Sequence, residues 1–88
     1  MTITLQIALF GIFRNSGASE ITLDVPVNSD LVTVKKQLAA QFARDYPNFS
    51  STHLIETAVL ADETRVLNAN ERLTHSCKLA ILPPVCGG

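Results

Sequence analysis

Few residues of this chain could do chemistry on their own. It has two cysteines, Cys77 and Cys86, two histidines, His53 and His75, and no tryptophan. The cysteines lie nine residues apart in a segment that reads as extended. At roughly 3.3 Å per residue their Cα atoms stand about 30 Å apart. A disulfide needs about 4.4–6.8 Å, so no internal bridge is expected. Neither histidine has a partner at ligand spacing, so no metal site is expected either. What remains is the segment Leu82–Gly88, LPPVCGG. A free α-carboxyl has a pKa of about 3.5, so a Gly88 carboxylate is ionised at neutral pH. Gly87 and Gly88 can adopt φ values closed to other residues. Pro83 and Pro84 fix φ near −65° and stiffen the segment. The segment has the properties of an arm that holds a carboxylate away from the body.

The body must be small. Eighty-eight residues make one domain. A domain of this size buries about 60–65% of its unfolded surface, which leaves little room for a deep pocket beside the core. That argues against a self-sufficient enzyme. The net charge is −1 and the seven Lys and Arg are dispersed, so no nucleic-acid surface is expected. Lys35-Lys36 is the one adjacent pair and reads as a solvated helix face. MTITLQIALFGIF is uncharged for thirteen residues. It lacks the basic start and cleavage pattern of a signal peptide and is too short to span a bilayer as a helix. No membrane association is expected. Free thiols suit a reducing compartment, so the expected location is cytoplasmic.

Thr2 to Phe10 alternates, with Ile3, Leu5, Ile7 and Leu9 on one face, as a half-buried strand does. Phe10 falls on the opposite face, among Thr and Gln. RNSGAS, Arg14–Ser19, reads as a turn, and EITLDVPV alternates again, so the two runs predict a β-hairpin. Pro26 marks the end of the second strand or a sheet edge. NSDLVTVKKQLAAQFARDYP is the helix, with Val34, Leu38 and Phe42 as its apolar stripe and Ala39, Ala40 and Ala43 favouring helix. Thr33 is a plausible N-cap, with Ser29 or Asp30 as earlier candidates. Pro47 disfavours helix at Tyr46. PNFSSTHLIE reads as a loop. Two short apolar runs, Ala58–Leu60 and Arg65–Leu67, flank the turn-like ADET, and Leu73 reads as a plug under a loop. CKLAILPP is the last strand, with Leu79 and Ile81 on one face and Ala80 and Leu82 on the other.

A hairpin, a helix across it and further strands is the order of the β-grasp, an α+β fold. The expected architecture is ubiquitin-like: a mixed sheet, one main helix packed on one face, and an extended C-terminal tail. Residues 1–82 form the domain and 83–88 the tail. The first and last strands pair in the middle of that sheet. Phe10 and Leu82 then lie near strand ends on the face opposite the helix, and two large apolar side chains there suggest an interaction site.

The ending PPVCGG on a chain of this kind resembles the ubiquitin-like sulfur carriers, and most closely the small subunit of molybdopterin synthase (the MoaD family). Pro83, Pro84, Val85, Gly87 and Gly88 match that family's terminal pattern. LFGIFR, TVKKQLAAQF and LTHSCKLAILPP are also similar. The resemblance implies a cycle. An E1-like adenylating enzyme (MoeB-type) uses ATP and Mg²⁺ to adenylate the Gly88 carboxylate. A persulfide sulfur donor replaces AMP and leaves a thiocarboxylate. The tail, Pro83 to Gly87 with Cys86, enters the large synthase subunit (MoaE-type), and the sulfur passes to cyclic pyranopterin monophosphate to build the dithiolene. The carrier binds no cofactor itself. By the same matching, Phe10, Val66 and Leu82 fall where the family contacts its large subunit.

Two features depart from the family. THSC stands where an acidic, Gly-containing turn is common. Cys86 sits two residues before Gly88, as a small residue that fits a channel or as a thiol that takes part in the cycle. Three other readings remain open: a carrier for thiazole, cysteine or tRNA thiolation, a ubiquitin-like protein modifier, or an interaction domain with an inert tail.

Overall fold

The computed structural model describes residues 1–50, 52–68 and 70–83. Strand β1 (Thr2–Leu9) alternates as its sequence predicts, with Ile3, Leu5, Ile7 and Leu9 buried and Thr2, Thr4 and Gln6 exposed. It ends at Leu9 rather than Phe10. Gly11 takes a φ of 59°, and the chain rolls into a 3-10 turn, Gly11–Ser16, closed by Gly17 at a φ of 96°. This turn replaces the simple loop expected from Arg14, and it drives Phe13 fully into the core. Strand β2 (Glu20–Pro26) returns antiparallel to β1 and ends at Pro26, on the sheet edge, where a missing N–H costs no ladder bond.

Helix α1 (Leu31–Asp45) is capped by Asp30. Thr33 is therefore not the cap. It lies in the first turn, and its N–H donates to the Asp30 carboxylate at 2.9 Å. Those hydrogen bonds from the Thr33 backbone and then its hydroxyl hold the Asp30 carboxyl below the ordinary value. Leu31, Val34, Leu38 and Phe42 are buried, which extends the predicted stripe by one turn. The helix stops before Tyr46-Pro47 as the proline requires. Gln41 Nε2 donates to the Thr22 carbonyl at 2.9 Å and ties the helix to β2. The segment that read as a loop after the helix contains a short 3-10 turn, Thr52–Ile55. It places Ile55 in the core. Phe49 closes the helix end as part of an aromatic group, with ring centroids 5.1 Å from Phe42 and 6.2 Å from Phe13.

Two-residue strands β3 (Ser29–Asp30) and β5 (Arg72–Leu73) pair as a second small sheet that the sequence did not suggest. Leu73 packs against the core as a plug would, but from a strand. Strands β4 (Val59–Ala61) and β6 (Cys77–Leu82) complete the main sheet, whose order is β2-β1-β6-β4. β1 and β6 are parallel neighbours at its centre, and the other pairs are antiparallel. This is the expected ubiquitin-like β-grasp, a mixed sheet with one main helix on one face. No helix of the described residues is long and apolar enough to cross a membrane.

Candidate functional site

The strand register builds a surface on the sheet face that α1 leaves uncovered. Residues directly opposite in a ladder share a face. Ala8 pairs with Ala80, Ala80 with Ala61, and Ala61 bridges to Val66. These four side chains form one row, which Glu20, paired with Ala8 from β2, continues at the sheet edge. At strand spacings of roughly 4.8 Å the row runs about 14 Å. The next row of the same face is Val59 paired with Leu82. Phe10 follows Leu9 in extended backbone, φ −127° and ψ 158°, so its side chain stays on the Ala8 side. The alanines make a low floor, and Phe10, Leu82, Val59 and Val66 stand around it. Phe10 and Val66 are 43% and 59% exposed, while Leu82 and Val59 are half-buried. The structure thus brings Phe10, Val66 and Leu82 to one apolar surface. Val59 joins them, a residue the sequence reading passed over. Its place one residue before the buried Leu60 was the available signal.

Val66 is held up by a polar turn. The Asp62 carboxylate accepts from the Thr64 N–H at 2.8 Å, the Arg65 N–H at 2.9 Å and the Thr64 hydroxyl at 3.0 Å. Those bonds, the Thr64 N–H foremost, hold its carboxyl below the ordinary value. Arg65 then pairs with Glu71 across the loop. The turn returns the chain so that Val66 bridges Ala61 and Leu67 N–H reaches the Leu60 carbonyl at 2.9 Å.

The tail leaves from the same end of the sheet. Pro83 directly follows β6 and is half-buried. Its ring lies where a side chain of Gly11 would stand: a Cβ built on Gly11 would be 2.7 Å from Pro83 Cγ and 3.1 Å from Cδ. Gly11 is a second residue that sequence reasoning missed, although LFGIFR contains it. Pro84, Val85, Cys86, Gly87 and Gly88 lie outside the described residues.

Among the described residues no three His, Cys, Asp or Glu side chains are grouped to hold a metal ion. Cys77 is half-buried; burial and then the Asp62 charge push its thiol pKa up, so it stays protonated and a poor nucleophile at neutral pH. His75 is exposed in the turn before β6, its Nδ1 2.9 Å from Thr74 Oγ1. A groove of about 640 Å³ lies between α1 and Thr52–Glu56. Its polar groups do not converge: Lys35 Nζ donates to the Glu56 carbonyl at 3.3 Å, and His53 is exposed. Burial lowers the Lys35 pKa, but no nucleophile or acid lies in hydrogen-bond reach of it among these contacts.

No protein-family model matches the chain, and no curated protein matches it in sequence. Solved structures do. Small archaeal modifier protein 1 of Haloferax volcanii superposes with a TM-score of 0.65 at 17% identity, over 97% of this chain and 99% of that one. A Pyrococcus furiosus chain described as molybdopterin converting factor, subunit 1, gives 0.62 at 16% identity, over 94% and 99%. Caldiarchaeum subterraneum ubiquitin gives 0.63 at 19% identity, with both chains covered in full. At these identities the likeness establishes the fold, which is that of the ubiquitin-like β-grasp proteins.

Proposed function

We propose that this chain is a ubiquitin-like sulfur carrier and serves as the small subunit of molybdopterin synthase. The observation that carries the reading is the shared location of two features. An apolar surface of Phe10, Val66, Leu82 and Val59 lies on the uncovered sheet face, and the root of the PPVCGG segment leaves beside it. A partner that covers the surface receives the tail in the same encounter.

In the proposed cycle the Gly88 carboxylate oxygen attacks the α-phosphorus of ATP in the adenylating enzyme, with Mg²⁺ bound there, and pyrophosphate leaves. The terminal sulfur of a persulfide donor then displaces AMP, and reductive cleavage of the resulting acyl disulfide by a thiol leaves Gly88 as a thiocarboxylate. The large synthase subunit binds the apolar surface, takes up Pro84 to Gly88, and directs the sulfur to the dithiolene of molybdopterin. This cycle belongs in the cytoplasm, where the thiols stay reduced.

A second reading rests on the structural neighbours. Small archaeal modifier protein 1 and an archaeal ubiquitin share this fold. A modifier would pass the same activated Gly88 to lysines. One experiment separates the two. The full chain is incubated with ATP, Mg²⁺, the adenylating enzyme of the same organism and a sulfur source, and its intact mass is measured. Replacement of one oxygen by sulfur, mapped to the C-terminal peptide, is expected of a carrier. AMP release with Gly88 joined to lysines instead makes the chain a modifier.

A further inference from the structure

Gly11 and Gly17 bracket one 3-10 turn, and both hold a positive φ, 59° and 96°. They differ in their surroundings. Around a Cβ at Gly17 nothing lies within 4 Å. At Gly11 the Pro83 ring fills the position, with Cγ at 2.7 Å and Cδ at 3.1 Å. The obstructing group is not the tip of a flexible side chain. It is a ring closed onto its own backbone nitrogen, and its φ is fixed. A side chain at 11 therefore forces the Pro83 ring to repucker or the backbone at 11 or 83 to shift, and a shift at 83 redirects the chain that follows.

Resting on the sulfur-carrier reading, we propose that Gly11 is a positioning residue for the tail. Its bare backbone seats Pro83 and so aims the segment that bears Gly88. Gly11 adjoins Phe10, so the docking surface and the aim of the tail are built on one dipeptide. A partner bound at Phe10 then meets Pro83, where the tail begins, in a set place.

The test uses the full chain with Gly11→Ala, Gly17→Ala and the double variant Gly11→Ala/Pro83→Ala. Both single variants put a side chain on left-handed backbone, so both lower the thermal midpoint. Gly17→Ala is the control for that strain. Two readouts follow the tail. One is the set of backbone amide NMR signals of Val85–Gly88. The other is carrier-dependent pyrophosphate exchange by the adenylating enzyme. Gly11→Ala is expected to shift those amides and to lower kcat/KM for the carrier about tenfold or more. Gly17→Ala leaves both unchanged. In the double variant the ring Cγ and Cδ are gone and the remaining Cβ, 3.7 Å away, is in ordinary contact, so both readouts return toward wild type. If Gly11→Ala is too unstable, Gly11→Asn supplies a Cβ on a residue that tolerates left-handed backbone. Equal effects of Gly11→Ala and Gly17→Ala, or no recovery in the double variant, would overturn the proposal. If the wild type supports no exchange while the amides still respond to residue 11 alone, the positioning role stands and the carrier reading falls.

Discussion

The two faces of the β-grasp sheet are made from the same strands and have opposite chemistry. On the covered face, Ile3, Leu5, Ile7 and Leu9 of β1 meet Leu79 and Ile81 of β6 and the helix stripe of Val34, Leu38 and Phe42, all buried. On the open face the intervening residues change character along the strands. Thr4, Gln6, Thr22, Asp24 and Lys78 make a polar end, and Ala8, Ala80, Ala61, Val59, Leu82, Phe10 and Val66 an apolar one, edged by Glu20 opposite Ala8. Solvation of the open face imposes no requirement for apolar residues. Their concentration at the end where Pro83 leaves is the surface that the proposed partner would cover.

The largest expected effect tests the covered face. Phe42→Ala removes a fully buried ring that also anchors Phe49 and Tyr46, and should cost about 3–5 kcal/mol. Thermal or urea unfolding reads it. A loss under about 1 kcal/mol would show that the aromatic group is loosely packed. Phe10→Asp on the open face should change the stability of the isolated chain by only about 0.5 kcal/mol. Its expected effect is on association with the large subunit of molybdopterin synthase, weakened about tenfold or more in a calorimetric titration. A loss of stability approaching that of Phe42→Ala would place Phe10 in the core and remove the apolar surface.

The difference between the faces also explains what could be read in advance. The covered face was legible because burial imposes period two on β1, β2 and β6 and a stripe on α1, and these patterns are local. Proline at 26 and 47 marked ends correctly because its restrictions are local too. The β3–β5 pair was not legible, since Ser29-Asp30 and Arg72-Leu73 are too short to show any period and meet only through tertiary contact. Phe49 was hidden in a segment that read as a loop, and Phe13 in the short stretch between the first strand and the turn, where hydrophobic residues have no fixed spacing. At the candidate site, Phe10 stood out as an apolar residue on a polar parity. Gly11 did not, because the need for a bare backbone there comes from Pro83, seventy-two residues away in sequence.

A smaller effect concerns how the open face is held in shape. Asp62 carries the turn that presents Val66, through bonds that its ionised form accepts most strongly. Its folded pKa lies below the ordinary 3.8. The stabilisation it gives is therefore fully present above pH 3.8 and is lost as the pH falls through the folded value. Asp62→Ala should lower the thermal midpoint at pH 7 and reduce the loss of stability on acidification. It should also weaken large-subunit binding less than Phe10→Asp does. An unchanged acid profile would show that the turn holds without its carboxylate. Asp62→Asn keeps an acceptor oxygen without the charge and should fall between the two.

The smallest effect probes the polar end of the open face. Thr4 Oγ1 donates to Asp24 Oδ1 at 2.7 Å, directly across the β1–β2 ladder, and Thr4 N–H donates to Ser76 Oγ at 2.9 Å. Thr4→Val keeps the volume and the strand preference and deletes only the side-chain bond. Because that bond is exposed, water replaces it, and the expected loss is about 0.2–0.5 kcal/mol. Thr4 stands four residues before Ala8, about 13 Å along the strand, beyond the apolar rows. If docking is confined to those rows, Thr4→Val leaves large-subunit affinity unchanged while Phe10→Asp reduces it. A gain in affinity for Thr4→Val would mean that the partner reaches the polar end as well, and that the Thr4–Asp24 pair limits the footprint instead of lying outside it.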